Sequence, residues 1–344
     1  MGVLSDKQIV DDVLRLLDLF EITQYKAHKI KPEVIAGPVI TKDDLRKIKM
    51  DKGIYSSKTS GSTGEPISVE KTYQDLIWTL ATNIREIRWR GWDVTKTIAV
   101  IKTTHTLNTL DSWGIHKDIE PIQGKSYTNS YRPISELQEW LEEVNPHYIQ
   151  CFPSIFKQLD LTKLTNFIDW KGTGEVGGTM YSTEECGTIA IQCPENPLVM
   201  HVMENIYLEV DENEGVIITS MTNPYIKRYK HGDHVVMGEC FCGRTMQTIS
   251  EVKGRVRNMF VLPNGDKVWP LLGSQQYTDF GIKQFKAIQK TIDELELQVI
   301  AEPISNENEL IKLVHKMLGT PINVTITYVD SFPNYKFEEF ICLI

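Results

Sequence analysis

The chain has 344 residues, a formal net charge of −9, and 41% hydrophobic and 24% charged residues. That length allows about two domains with a large buried core, and the acidic balance speaks against nucleic acid or an anionic membrane as partner. No run approaches the ~18 consecutive apolar residues of a membrane span and the first twenty residues are charged rather than signal-like, so the expected setting is the cytoplasm, where six cysteines do not suggest a disulfide framework.

Ile9, Val10, Val13, Leu14, Leu17 and Phe20 recur at three- and four-residue steps, which predicts an amphipathic helix over 7–20. Thr41-Lys-Asp-Asp44 has the T-x-x-D form of a helix cap, a hydroxyl meeting exposed N–H groups and carboxylates favouring the positive helix end. This short helix delivers the chain to Tyr55–Pro66, which reads Y-S-S-K-T-S-G-S-T-G-E-P. Hydroxyls and glycines leave that run no apolar face, so it is an exposed loop. Gly61 and Gly64 permit positive φ and close backbone approach, while Thr59, Ser60, Ser62 and Thr63 offer hydroxyls beside the loop's own N–H groups. That is the chemistry of holding a polyphosphate. It is not the common P-loop, because no lysine follows the second glycine. A Ser/Gly linker shares this composition, but the position between two helix signals places the run inside a folded unit.

From Thr72 onward, Leu76, Ile77, Leu80, Ala81, Ile84 and Ile87 form the apolar stripe of a helix that stops at Gly91, and Thr97–Ile101 reads as a buried strand. Helix followed by strand is α/β alternation. Trp113-Gly-Ile115 either walls a substrate pocket or packs the core. Ser135, with Gln138 three residues on, predicts a capped helix to Val144 that ends before Pro146, and Tyr148–Phe152 a short buried strand. Gly172, Gly174, Gly177 and Gly178 then crowd into loops of the kind found at strand ends, where α/β sheets place ligands. Tyr181-Ser182-Thr183-Glu184 follows at once. Ile206–Val210, Val216–Met221 and Pro224–Asp233 read as antiparallel strands, the last carrying I-K-R-Y-K-H-G-D. Near the C-terminus a strand over Leu295–Ala301, a helix capped by Ser305 or Asn306 and ending at Gly319, and a strand over Ile322–Val329 predict a small α+β unit.

Several of these stretches resemble one family. The hydroxyl-rich loop resembles the phosphate-binding loop of the adenylate-forming enzymes, in the wording of their phenylacetate-CoA ligase and coenzyme F390 synthetase branch. N-P-H-Y-I-Q-C-F-P-S, T-G-E, Y-S-T-E-E-C-G, R-Y-K-H-G-D and Gly254-Arg255 resemble the same branch in the same order, from Thr41 to the C-terminus. The resemblance implies an α/β fold: a large N-terminal adenylate-forming domain of α/β layers plus an antiparallel β-subdomain over 1–256, and a small, mobile C-terminal α+β domain over 257–344. It further implies ATP-dependent activation of a carboxylic acid as acyl-adenylate, then transfer to a thiol, such as CoA or a carrier, or to an amine. Two other readings stay open: transfer of AMP itself to a hydroxyl, as in F390 synthetase, and a catalytically silent nucleotide- or acyl-binding protein.

By this resemblance residues 59–64 hold the β- and γ-phosphates, with Gly174, Glu175, Ser182 and Thr183 completing the nucleotide site. Tyr181 lies against adenine, Glu184 helps place Mg²⁺, and Asp233 and Arg255 hold the ribose. Lys336, in S-F-P-N-Y-K-F, stands where the family presents a lysine to the acyl carboxylate and phosphate, and Gly254-Arg255 marks the hinge.

Cys193, His201, Cys240 and Cys242 offer three thiolates and one imidazole, the donor set of a closed tetrahedral zinc site. Cys240-Phe-Cys242-Gly-Arg244 sits on a tight turn, and the two halves flank what reads as one antiparallel sheet. Three buried thiols and a satisfied histidine are the plain alternative. The same positions resemble places where some members of this ligase branch carry zinc, and Cys186 is a spare candidate.

Overall fold

The computed structural model describes residues 6–26, 35–58, 67–102, 107–130, 134–173, 177–212, 215–255, 260–263, 267–268, 277, 279–331 and 338–342. Three sheets organise it. The first has five strands in the order Asn108–Leu110, Ser126–Asn129, Ile98–Ile101, Tyr148–Cys151 and Asp169–Gly172, parallel except for the antiparallel edge strand Asn108–Leu110. Ala99, Ile101, Ile149 and Cys151 project from one face onto Leu137 and Leu141 of the helix Ile134–Val144. On the other side lie the helices Asp6–Thr23 and Tyr73–Trp89, zipped together by Val13, Leu17 and Phe20 against Ile77, Ala81 and Ile84.

The second sheet is antiparallel and seven-stranded, in the order Ile206–Val210, Gly215–Ser220, Tyr229–Met237, Thr248–Arg255, Met200–Val202, Gly187–Gln192 and Met180–Thr183. Its alternate residues Ile189, Leu208, Val216, Ile218, Tyr229 and Val235 form a core with Leu45 and Val69. The third sheet has four strands, Asn323–Tyr328, Glu294–Ile300, Gln284–Thr291 and Glu338–Cys342. The helix Glu307–Leu318 buries Leu310, Val314 and Leu318 against Phe285, Leu297 and Val299 of that sheet. Among the described residues no helix is long and apolar enough to cross a membrane.

The caps follow the local chemistry. Thr41 and Thr72 each accept from the N–H three residues on and are answered by Asp44 and Asp75, so both helices start with complete capping boxes. Asn306 caps the C-terminal helix, and Gly319 leaves it in the left-handed region at φ +72°. Two expectations are corrected, and one strand is added. Ser135 lies inside the helix Ile134–Val144 rather than capping it, and the amide of Gln138 bonds instead to Glu142 and to the backbone of Asp160. Residues 224–228 form a loop, and the strand begins only at Tyr229, after Arg228 turns the chain at φ +44°. Gln284–Thr291 is a further strand, in a hairpin with Glu294–Ile300.

Candidate functional site

Two constellations stand apart. The first begins at the hairpin in which Tyr55–Lys58 pairs with Ser68–Lys71, Tyr55 opposite Lys71 and Lys58 opposite Ser68. This ladder brackets residues 59–66, which lie outside the described residues together with Gly174, Glu175 and Lys336. Ser57 donates a short hydrogen bond to Glu184 Oε2, tying the approach to the hydroxyl-rich loop to the turn that follows strand Met180–Thr183. Beside them opens a cavity of about 210 Å³ lined by Tyr55, Ser57, Lys71, Thr183 and Glu184. Lys71 is buried and donates to the carbonyl of Glu185 at 2.6 Å; burial lowers its pKa, only partly offset by Cys186, Asp75, Glu185 and Glu184. Thr183 Oγ1 accepts from the Cys186 amide at 3.1 Å and so shapes the turn.

The neighbouring strands bring up a second part of this locus. The Tyr181 ring is buried in the core of the seven-stranded sheet. Its hydroxyl donates to Asp233 Oδ2 at 3.1 Å and lies 2.9 Å from His231 Nε2. It therefore reaches the site through its hydroxyl, while Ser182 on the opposite phase of the strand is exposed. Asp233 sits directly across the ladder from Arg255, of which the backbone is described, and follows Gly232 at φ +97°. The two residues named for the ribose are thus cross-strand neighbours. Ser57, Lys71 and His231 escaped the sequence reading. Ser57 falls inside the hydroxyl run and His231 inside R-Y-K-H-G-D, where neither had a role of its own; Lys71 is a single polar residue in a strand and carries no motif.

The second constellation is the thiolate–imidazole set. Strand Met200–Val202 lies between Gly187–Gln192 and Thr248–Arg255, with His201 opposite both Ile191 and Thr248. Cys193 leaves the end of one neighbour, and Cys240 and Cys242 lie in the loop that leads to the other. The ligand atoms of Cys193, His201, Cys240 and Cys242 all lie within 4.8 Å of one another. His201 Nε2 is 3.2 Å from Cys242 Sγ, and the sulfurs of Cys240 and Cys193 are 3.7 Å apart.

A tetrahedron with metal bonds of about 2.0–2.3 Å has edges of roughly 3.3–3.8 Å; the pairs at 3.2 and 3.7 Å are close to such edges, and separations of up to 4.8 Å within the set would contract on binding zinc. Burial, reinforced by Arg244 and Arg85, pushes the His201 pKa down to about 4 and leaves the imidazole neutral, the form that ligates. Its Nδ1 faces Thr248 Oγ1 at 3.4 Å, an orienting contact of the kind metal-bound histidines use. Burial pushes the Cys193 thiol up to about 11. Cys186 belongs elsewhere: it lines the 210 Å³ cavity, and burial raises its pKa to about 12.

No protein-family model matches the chain. Nor does any curated protein match it in sequence. Solved structures do match in shape. A 2-hydroxyisobutyryl-CoA ligase in the postadenylation state, in complex with 2-HIB-AMP, is 17% identical over 98% of this chain and 89% of its own, at a TM-score of 0.58. The same ligase with 2-HIB-AMP and CoA in the thioesterification state is 16% identical over 99% of this chain and 91% of its own, at 0.51. The chain therefore has the α/β fold of an adenylate-forming CoA ligase, spanning nearly its whole length.

Proposed function

We propose that the protein uses ATP to activate a carboxylic acid. A carboxylate oxygen attacks the α-phosphorus of ATP, the bond to the β-phosphate oxygen breaks, pyrophosphate leaves, and the acyl-adenylate remains. A thiol or amine then attacks the acyl carbon and AMP departs. The branch that this chain resembles, the phenylacetate-CoA ligases and F390 synthetases, belongs to this proposal, as does CoA as a thiol acceptor. The observation that carries the reading is the bond between Ser57 and Glu184. It joins segments 127 positions apart, the foot of the hydroxyl-rich loop and the turn with the Thr183-Glu184 pair, in a chain with the fold of a ligase crystallised with an acyl-adenylate.

In this reading residues 59–64 bind the β- and γ-phosphates, and Gly174, Glu175, Ser182 and Thr183 line the nucleotide. Glu184 helps to hold Mg²⁺, which offsets phosphate charge. Asp233 accepts from the ribose hydroxyls, oriented by the Tyr181 hydroxyl, with Arg255 across the ladder. Tyr181 serves as a positioning residue rather than a ring against adenine. Lys336 meets the charge that develops as the carboxylate attacks, delivered by a C-terminal unit, residues 257–344, that closes about the Gly254-Arg255 hinge. The zinc ion is structural, held by Cys193, His201, Cys240 and Cys242.

A screen of carboxylic acids for acid-dependent exchange of pyrophosphate into ATP tests the reading directly. At least one acid should drive exchange. Exchange with none of a broad panel, or a stable adenylylated hydroxyl compound as the product, would overturn it.

A further inference from the structure

A cavity of about 500 Å³ lies between the five-stranded sheet and the helices Asp6–Thr23 and Tyr73–Trp89 and shares no lining residue with the cavity at Glu184. Its walls include Val10, Ile84, Ile87, Trp113 and Ile115, apolar and branched or aromatic. That size and lining suit a small organic molecule. The floor is different in kind. A parallel sheet buried under helices ordinarily presents aliphatic side chains on both faces, yet here Val100, Gln150 and Lys171 stand in one row across three strands and all line the cavity. An amide and an ammonium thus sit side by side beneath an apolar roof.

Their hydrogen-bonding capacity is only partly used. Lys171 Nζ meets Glu86 Oε2 at 2.6 Å as an ion pair, outside hydrogen-bond alignment, since Glu86 Oε2 has no hydrogen-bond partner among the described residues. The Gln150 side chain makes no hydrogen bond to another described residue. Polar groups turned into a mostly apolar cavity are costly unless a partner completes them. The charges, by contrast, are already balanced: Glu86, with its side chain 3% exposed, answers Lys171, and Arg90 is shared between Glu86 and Asp169. What remains open on the floor is the Gln150 amide, beside an ammonium whose charge is already matched.

We propose that this cavity holds the organic body of the acid substrate, and that this body carries, remote from its carboxylate, a neutral oxygen that accepts hydrogen bonds from Gln150 and Lys171. The proposal rests on the acid-activation reading above. Apolar walls bind the hydrocarbon part; the floor selects a keto, ether or hydroxyl oxygen over a methyl group, which would leave the donors unpaired, and over a second carboxylate, which would bring an unmatched charge into the site.

Binding measured without nucleotide separates this proposal from the activation chemistry. Quenching of tryptophan fluorescence is followed with octanoate, 7-oxooctanoate and octanedioate as probes, Trp92 and Trp113 both lining the cavity. The keto acid should bind at least tenfold more tightly than either of the others, and Gln150→Leu should shrink that advantage below threefold. Filling the cavity from the helix side with Ile84→Trp, or from the sheet side with Val100→Phe, should abolish saturable quenching by all three in protein that still melts cooperatively. Equal affinity for octanoate and 7-oxooctanoate, or an advantage that survives Gln150→Leu, would remove the acceptor from the proposal. Quenching that persists in both filled variants, or its absence from the wild type, would overturn the cavity as the site. Selective keto-acid binding in a protein that shows no pyrophosphate exchange with any acid would fault the activation reading and leave the cavity's selectivity standing.

Discussion

The thiolate–imidazole cluster and the proposed nucleotide locus are built by opposite strategies. Of the four candidate metal donors His201 lies on a strand, Cys193 directly follows the strand beside it, and Cys240 and Cys242 sit in the loop that enters the strand on its other side, so one sheet gathers them all. The nucleotide locus draws on a separate two-stranded hairpin, on the turn at Glu184, on the ladder at Asp233 and, in the proposed function, on Lys336 beyond a hinge. A site within one sheet is finished when the sheet forms. A site gathered from several units is finished only when they come together, which lets substrate enter before the chemistry is assembled.

The cluster also serves as an anchor. Just past His201, Glu204 takes both ends of the Arg85 guanidinium at 2.7 and 2.8 Å and accepts from Thr23 at 2.9 Å. Arg85 in turn lies 3.6 Å over the Phe20 ring and donates to the Phe20 carbonyl. Just past Cys242, Arg244 bonds to Gln24 and Glu195, and the Thr245 amide donates to the Gln24 carbonyl. The Trp89 ring stands between the two arginines, edge-on to His201. The C-terminal end of the first helix is therefore fastened by residues that flank the metal donors, and the body of that helix roofs the 500 Å³ cavity.

The sharpest way to separate the two regions is to remove chemistry from one without touching the other. Lys336→Ala should lower acid-dependent ATP–pyrophosphate exchange by roughly a hundredfold to a thousandfold, the range for loss of one charge-stabilising group. Its melting temperature should stay within a degree or so of wild type, and transfer from a supplied acyl-adenylate should be spared. Exchange at near wild-type rate would take the lysine out of the proposed mechanism. The reverse experiment strips the metal. Protein purified without added metal should contain about one zinc per chain, because a closed set of three thiolates and a histidine binds it during folding. Chelation or Cys242→Ser should lower the melting temperature by on the order of 10 °C, since several kcal/mol of binding energy is folding energy here. A folded, metal-free protein with freely titrating thiols and an unchanged melt would dismiss the metal.

How legible each region was in the sequence follows from the same contrast. The cap at Thr41 and the donors of the cluster could be named in advance, because their chemistry is local or confined to a few residue types; the second capping box, at Thr72, was not read. The bonds of the Tyr181 hydroxyl to Asp233 and His231 could not be named, because they cross between strands some fifty positions apart in sequence. Gln284–Thr291 buries Phe285, Ala287 and then Gln289, while Ile288 falls on the other face with Lys286, so its apolar alternation breaks off after two steps and the signal is weak. Arg85 and Glu204 are invisible for another reason, since each is a lone charge until the fold brings together positions 119 apart. The same holds for the row Val100, Gln150 and Lys171, which exists only as a register across three strands.

The anchor itself gives the next largest effect. Arg85 and Glu204 have side chains only 2% and 4% exposed, so Glu204→Gln leaves a buried guanidinium without its counter-charge and should cost about 3–5 kcal/mol. Chemical denaturation would read that loss, and amide exchange should accelerate first around residues 20–24, where Arg85 and Glu204 hold the helix end. Replacing both partners with apolar residues, Arg85→Met with Glu204→Leu, should recover much of the stability, because the penalty comes from the orphaned charge. If Glu204→Gln proves as stable as wild type, the pair is not what fastens the first helix.

The smallest effect tests the other end of that helix. The Tyr73 hydroxyl donates to Asp12 Oδ2 at 2.7 Å, tying the first helix to the start of Tyr73–Trp89. Burial first, and then the bond to the Asp12 carboxylate and its charge, raise the Tyr73 pKa from 10.0 to about 12. The folded chain thus holds this proton more tightly than the unfolded one. The contribution to stability is complete below about pH 10 and is lost as pH rises through about 12. Stability measured from pH 9 to 12 should fall more steeply in the wild type than in Tyr73→Phe, which lacks the group. Because the tie involves the helix end remote from the metal cluster, the zinc content should not change across that range of variants. Superimposable alkaline profiles for the two proteins would show that the N-terminal end of the helix is held by its apolar contacts with Ile77, Ala81 and Ile84 alone, and that only its far end is clasped by polar bonds.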